Sequence, residues 1–154
     1  MDSSNPPTFA IRCYCVAVSL TAAAAPRSVV NCHCGQCRRL SGAAFTTWAS
    51  FPRSAIATTG DEPLHSFQVT PNVTRYFCRV CGSHVFSADV RLPTILGVPM
   101  GALEGEPLGP PSAHYFIDHK APWQAVCDGL PQFGGESGMT PSAASCTSQR
   151  NTEG

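Results

Sequence analysis

Apolar and polar positions alternate along this chain in short runs, and no run has the length or the 3.6-residue repeat of an extended helix. Fourteen prolines and thirteen glycines break every candidate periodicity. The pattern predicts short strands. Residues 9–20 are rich in β-branched and aromatic side chains and read as the first strand, with Cys13 and Cys15 on one face. Residues 21–26 read as an alanine-rich loop and residues 27–31 as a short strand. The strongest strand by propensity is 45–51, Phe-Thr-Thr-Trp-Ala-Ser-Phe. A further strand follows at 55–59, and residues 60–63 carry turn chemistry. Residues 64–69 and 74–77 read as a strand pair, 84–87 as an apolar strand, 94–103 as a strand interrupted by glycine, and 115–117 as a short apolar run. From residue 134 to 154 Gly, Ser and Thr dominate and apolar anchors are almost absent, which predicts a disordered tail. The expected fold class is mainly β, made of short antiparallel strands with one short helical turn.

Composition narrows the possible functions. A chain of 154 residues is long enough for one domain with a real core. Charged residues make up 13%, against about a quarter in an average soluble domain. The formal net charge is zero, so nothing points to nucleic acid or an acidic membrane surface as a partner. No apolar run reaches the length of a membrane span. The first residues, Met-Asp-Ser-Ser-Asn-Pro-Pro, lack the basic-then-apolar pattern of a secretory signal. A cytoplasmic location is therefore expected. Nine cysteines in C-x-C and C-x-x-C clusters then read better as metal ligands in a reducing compartment than as disulfides.

The densest chemistry is at Cys32-His33-Cys34-Gly35-Gln36-Cys37, a C-x-C-x-x-C run. Cys34 and Cys37 have the spacing at which a tight turn aims two thiolates at one metal ion, and Cys32 is near enough to add a third. A zinc ion held by three protein ligands keeps an open fourth position and is reactive; one held by four is a structural staple. A short helix is expected to begin near Cys34–Cys37, where backbone N–H groups stabilise thiolates. The alternatives are core cysteines, or one half of a closed zinc site. A second set consists of Cys13-Tyr14-Cys15 and Cys78-Arg79-Val80-Cys81-Gly82. Its four thiolates would fill a tetrahedral site and link metal binding to folding. Cys13 and Cys15 could equally be core residues of a strand, and spacing does not say which pairs share a metal. His84, three residues after Cys81, is a possible ligand that Cys13 and Cys15 would make unnecessary.

The order of these motifs resembles the glutathione-dependent formaldehyde-activating enzyme family, also called the GFA or centromere-protein-V-like zinc domain. The match includes Cys32-His33-Cys34-Gly35-Gln36-Cys37-Arg38-Arg39 with Ser41-Gly42 and Phe45, and then Arg75-Tyr76-Phe77-Cys78-Arg79-Val80-Cys81-Gly82-Ser83. It continues through His114-Tyr115-Phe116, Lys120-Ala121-Pro122-Trp123 and Asp128-Gly129-Leu130-Pro131. The resemblance covers about residues 9–133, leaving residues 1–8 as a flexible N-terminus and 134–154 as the tail. It implies a β-rich zinc fold, the β-tent, with two Zn2+ per chain. One would be a structural zinc on Cys13, Cys15, Cys78 and Cys81. The other would be a catalytic zinc on Cys32, Cys34 and Cys37. Two positions depart from the family: Val16 and Ile11 stand where Gly is usual.

The function this implies is a zinc-dependent carbon–sulfur lyase acting on a glutathione or other thiol adduct, with a small-molecule thiol as partner. The alternatives are a non-catalytic zinc module that binds a protein, and a zinc or redox sensor using the same thiolates. An open three-cysteine site favours the enzyme, since a scaffold has no use for it. Arg38 and Arg39 would offset the negative charge of three thiolates or clamp a substrate carboxylate, or else they line an exposed helix face. His33 is a proton shuttle, or a packed or exposed side chain. Trp48, Phe51 and Trp123 either line a pocket or, as the better expectation, pack in the core. The sequence assigns no role to His114 or Tyr115.

Overall fold

The computed structural model describes residues 5–104, 109–143 and 146. In chain order the elements are β1 (Phe9–Arg12), β2 (Ser19–Ala22), β3 (Ser28–Cys32), helix α1 (Gly35–Ser41), β4 (Thr46–Pro52), β5 (Ile56–Ala57) and β6 (Leu64–Gln68). They continue with β7 (Val73–Cys78), β8 (His84–Asp89), β9 (Ile95–Pro99), β10 (Leu103–Glu104), β11 (His114–Tyr115), β12 (Gln132–Gly134) and β13 (Thr140–Ser142). With 40% strand against 12% helix, the chain is mainly β, as its sequence pattern predicts. The chain divides into two compact units, one of Met1–Val29 with Thr47–Pro110, the other of Val30–Thr46 with Pro111–Gly154.

In the first unit the strand order is β10-β1-β2-β5 in one sheet, and β4-β9-β8-β7-β6 runs antiparallel in the other. Alternation decides which side chains are buried. Phe9 and Ile11 on β1 face Ala22 and Leu20 on β2, and all four are buried. Ala49 and Phe51 on β4 likewise pair with Val98 and Leu96 on β9. The β4–β9 and β6–β7 pairs match the expected strands closely. Gly97 lets the Trp48 ring approach closely: a Cβ there would lie 3.2 Å from the ring, so the ring would have to give by a few tenths of an ångström. That half-buried ring in turn carries the guanidinium of buried Arg75, 5.1 Å from its centroid.

The predicted strand 9–20 does not run through. It ends at Arg12, and β2 begins only at Ser19. Between them a turn closes with Val16 N donating to Cys13 O at 3.1 Å and Cys13 N to Val18 O at 3.2 Å. The reason is geometric: on a strand, side chains two residues apart are separated by roughly 6.6 Å along the axis, whereas the Cys13 and Cys15 sulfurs lie 3.6 Å apart. The turn puts Val16 at φ 63°, in the left-handed region. A β-branched residue there is strained, while glycine is not. The usual family residue at this position thus has a conformational reason, and Val16 works against it. Val16 is 55% exposed, so its removal forfeits little burial. Val16→Gly is expected to stabilise the chain by about 1 kcal/mol, the left-handed penalty less the chain entropy of glycine. That corresponds to a thermal midpoint higher by roughly 2–4 °C. A midpoint that stays put or falls would show that the turn carries valine without cost.

In the second unit β11 is parallel to both β3 and β12, with His114 opposite Asn31 and Gln132, and Tyr115 opposite Cys32. These parallel pairs stand among strands that are otherwise antiparallel, and they arise because β11 arrives by a long return and not by a hairpin. β12 pairs antiparallel with β13, so the described part of the expected tail forms a hairpin. Gly135 N donates to Asp118 Oδ2 at 2.5 Å, and Phe116 N donates to Gly138 O at 3.1 Å. Such backbone bonds need no apolar anchors, which is why composition alone pointed to disorder. Cys127 and Cys146 form a disulfide, so two of the nine cysteines are not thiols. Residues 144–145 and 147–154 of the expected tail, and 1–4 of the expected flexible N-terminus, lie outside the described residues. Among the described residues no helix is long and apolar enough to cross a membrane.

Candidate metal centres

The seven free cysteines gather into two groups, Cys13, Cys15, Cys78 and Cys81 in the first unit and Cys32, Cys34 and Cys37 in the second. Within each group all sulfurs lie within 4.8 Å of one another. These are the sets expected from spacing and resemblance, and each can hold a metal ion. His84 stays out: its Nε2 lies 3.2 Å from both Phe86 O and Ser87 Oγ.

The four-cysteine group joins the turn after β1 to the end of β7. Cys78 N donates to Ser83 O at 2.8 Å and Gly82 N to Cys78 O at 2.9 Å, with Gly82 at φ 80°. This knuckle turns Cys81 back toward Cys78. Tyr14 N donates to Ser83 Oγ at 3.0 Å and ties the two halves together. The Cys15 sulfur lies 3.6 Å from that of Cys13 and 3.8 Å from that of Cys78. A tetrahedral ion with metal–sulfur bonds of about 2.3 Å sets its ligands about 3.8 Å apart, so the donor set fits zinc in kind and spacing. The protons are unevenly held. The Ser83 hydroxyl, with backbone groups of Cys15 and Ser83, lowers Cys81 to about 5. Burial pushes Cys13 up, but the Val18 N–H and the Cys78 and Cys15 thiols outweigh it, and Cys13 is lowered. Against the backbone of Ala17, burial and the shared protons of Cys13, Cys81 and Cys78 push Cys15 up to about 12. Four thiols this close cannot all ionise without a cation.

The three-cysteine group is built by the β3–α1 junction. Cys32 ends β3, and Cys34 is the N-cap of α1, its sulfur accepting from Cys37 N at 3.4 Å. Cys37, buried in the first turn, completes the set. The helix starts where the motif predicts and stops at Gly42, whose N–H donates to Arg38 O at 2.8 Å. Ser41 Oγ donates to Cys37 O at 2.7 Å and Thr46 Oγ1 to the same carbonyl at 3.3 Å, bracing the Cys37 peptide. The Cys32 and Cys37 thiols, together with nearby backbone N–H groups, lower Cys34 to about 2. The Cys34 and Cys37 side chains, with burial, push Cys32 far up. Among the described residues the group ends at three ligands.

His33, between two of these cysteines, is fully buried. Burial, with His114, Lys120 and Arg38 nearby, lowers it to about 4, so it is neutral at pH 7. Its Nε2 lies 2.8 Å from Nδ1 of His114, whose Nε2 lies 2.8 Å from Asp128 Oδ2. Burial raises Asp128, but hydrogen bonds from His114 and Leu130 N–H outweigh it and hold the carboxyl below its usual range. His114 and Asp128 carried no role in the sequence; their only signal was membership of the quoted motif blocks. Arg38 is half-buried and Arg39 exposed. Phe51 is in the core and Trp48 half-buried, but Trp123 is 72% exposed, against expectation.

The family model described as glutathione-dependent formaldehyde-activating enzyme matches residues 8–119. The chain belongs to this family. The matched stretch of this family member holds all seven free cysteines and His114, and stops before Asp128 and the disulfide. A crystal structure of a Rhodobacter sphaeroides protein is similar in fold, with a TM-score of 0.50 and 24% identity, over 64% of this chain and 90% of that one. No curated protein matches the chain.

Proposed function

We propose that this family member is a zinc-dependent carbon–sulfur lyase acting on a glutathione or other thiol adduct such as an S-hydroxymethyl thiol. Cys32, Cys34 and Cys37 would hold the catalytic zinc, and Cys13, Cys15, Cys78 and Cys81 a structural one. The observation that carries the reading is a convergent set of three thiols that, among the described residues, has no fourth ligand beside it. A zinc ion held there supplies a Lewis acid that favours substrate sulfur as thiolate and so eases its departure from carbon. In the cleavage direction the carbon–sulfur bond breaks with its electron pair going to sulfur, and the hydroxyl proton leaves as the carbonyl forms. Three thiolates on Zn2+ carry a net charge of about −1 by formal count, and Arg38 and Arg39 are the cations best placed in sequence to offset it or to meet a substrate carboxylate. Seven free thiols fit a reducing cytoplasm as the place of action, although the Cys127–Cys146 disulfide is atypical of that compartment.

The test compares glutathione with S-methylglutathione by titration calorimetry in buffers of different ionisation enthalpy. Glutathione is expected to bind much more tightly, to release a proton, and to gain affinity as pH rises toward the pKa of its bound thiol. Equal affinities without proton release would remove the lyase reading and favour a non-catalytic zinc-binding interaction module.

A further inference from the structure

Asp128, His114 and His33 form one hydrogen-bonded chain that runs from the exposed carboxylate to the residue between Cys32 and Cys34, and a donor direction for it follows from that carboxylate. The Asp128 side chain is 46% exposed, whereas His114 and His33 are buried. An ionised carboxylate only accepts, so His114 donates from Nε2. Its Nδ1 lies 2.8 Å from His33 Nε2, and in the arrangement in which Nδ1 accepts, His33 donates to it from Nε2. That leaves His33 Nδ1 as a bare lone pair. The Nδ1 atom is indeed buried without a hydrogen-bond partner. A carboxylate at the surface thus selects the tautomers of two buried rings.

The chain ends on a residue flanked by ligands. His33 is clamped at its edge by His114 and on its face by Phe45, with ring centroids 4.9 Å apart. Its backbone N–H donates to Tyr115 O at 3.0 Å, one residue along β11 from His114. A side chain and backbone held on both sides leave the peptides joining Cys32 to Cys34 little freedom. We propose that His114 and Asp128 are positioning residues for the three-cysteine metal site, holding His33 and through it setting Cys32 and Cys34 at ligand spacing. The proposal rests on the reading that this cluster takes metal.

The test uses the full chain loaded with two zinc ions, and a colorimetric chelator to withdraw them. Asp128→Asn is expected to lower affinity about 10–100-fold at one site while the second ion is withdrawn as from wild type. Asp128→Glu, which keeps a carboxylate at a half-exposed position, should recover most of the loss. Nitrogen-15 spectra of the histidine rings should show His33 and His114 both protonated at Nε2 in wild type, and a mixture of tautomers in Asp128→Asn. A merely structural carboxylate would not move those signals. His114→Ala should give the same one-site loss; if that variant does not fold, Asp128→Asn carries the test. Unchanged withdrawal of both ions, equal weakening of both, or unaltered tautomers would overturn the positioning role. Wild type that holds only the four-cysteine ion would instead overturn the metal reading on which the role rests.

Discussion

Cys34→Ser is expected to yield a folded chain that has lost turnover of a thiol adduct by at least about 100-fold, the upper end of what a supporting residue near a metal costs. Serine fits the local backbone. Cys34 is the N-cap of α1, accepting from Cys37 N, and serine is among the best residues for that task. The helix start therefore survives. What changes is the ligand: a hydroxyl is harder than a thiolate and remains protonated where Cys34 is strongly acidified by its neighbours. Elemental analysis should find one zinc ion in the variant against two expected in wild type, with the thermal midpoint little altered. Turnover undiminished in a protein that still carries two ions would show that the reactive centre lies elsewhere.

Cys81→Ser should act in the opposite way, on stability. Its cluster draws together the turn after β1 and the knuckle after β7, with Cys13 and Cys78 both buried. A closed structural site supplies folding free energy outright, of order 10 kcal/mol or more in small zinc domains. Losing one of four ligands forfeits several kcal/mol of this. At roughly 2–4 °C per kcal/mol for a chain of this size, the midpoint should fall by at least about 10 °C, or the protein should become insoluble. Calorimetric scans of the purified variant measure it. A silent Cys81→Ser beside an unfolded Cys34→Ser would invert the roles of the two clusters.

What could be read from the sequence was what is encoded locally. The knuckles at Cys34–Cys37 and Cys78–Cys81 place both thiols within four residues, and β6 with β7 shows its pairing in neighbouring apolar runs. The turn at Cys13–Val18 could not be read that way, because the close approach of the Cys13 and Cys15 sulfurs overrides strand propensity there and the turn puts Val16 into a conformation its side chain disfavours. The parallel register of β11 on β3 joins residues more than eighty positions apart and leaves no mark in either segment. The same distance hid the bond between His33 and His114. Trp123 was misplaced because a large aromatic residue weighs toward burial on average, while this one stands in a solvent-facing loop.

The two clusters also differ in how much chain must close before each is complete. Cys32, Cys34 and Cys37 are nearly contiguous, so even an unstructured chain presents them together. Cys15 and Cys78 are 63 positions apart and meet only when the intervening strands have formed. Loop closure over that length carries an entropic cost that the short cluster escapes. A cation that also binds the unfolded chain stabilises the native state less than one that binds the native state alone. During synthesis the short cluster is therefore complete long before Cys81 has been added. If both clusters take an ion, the first one captured would contribute least to folding, and the last would secure it.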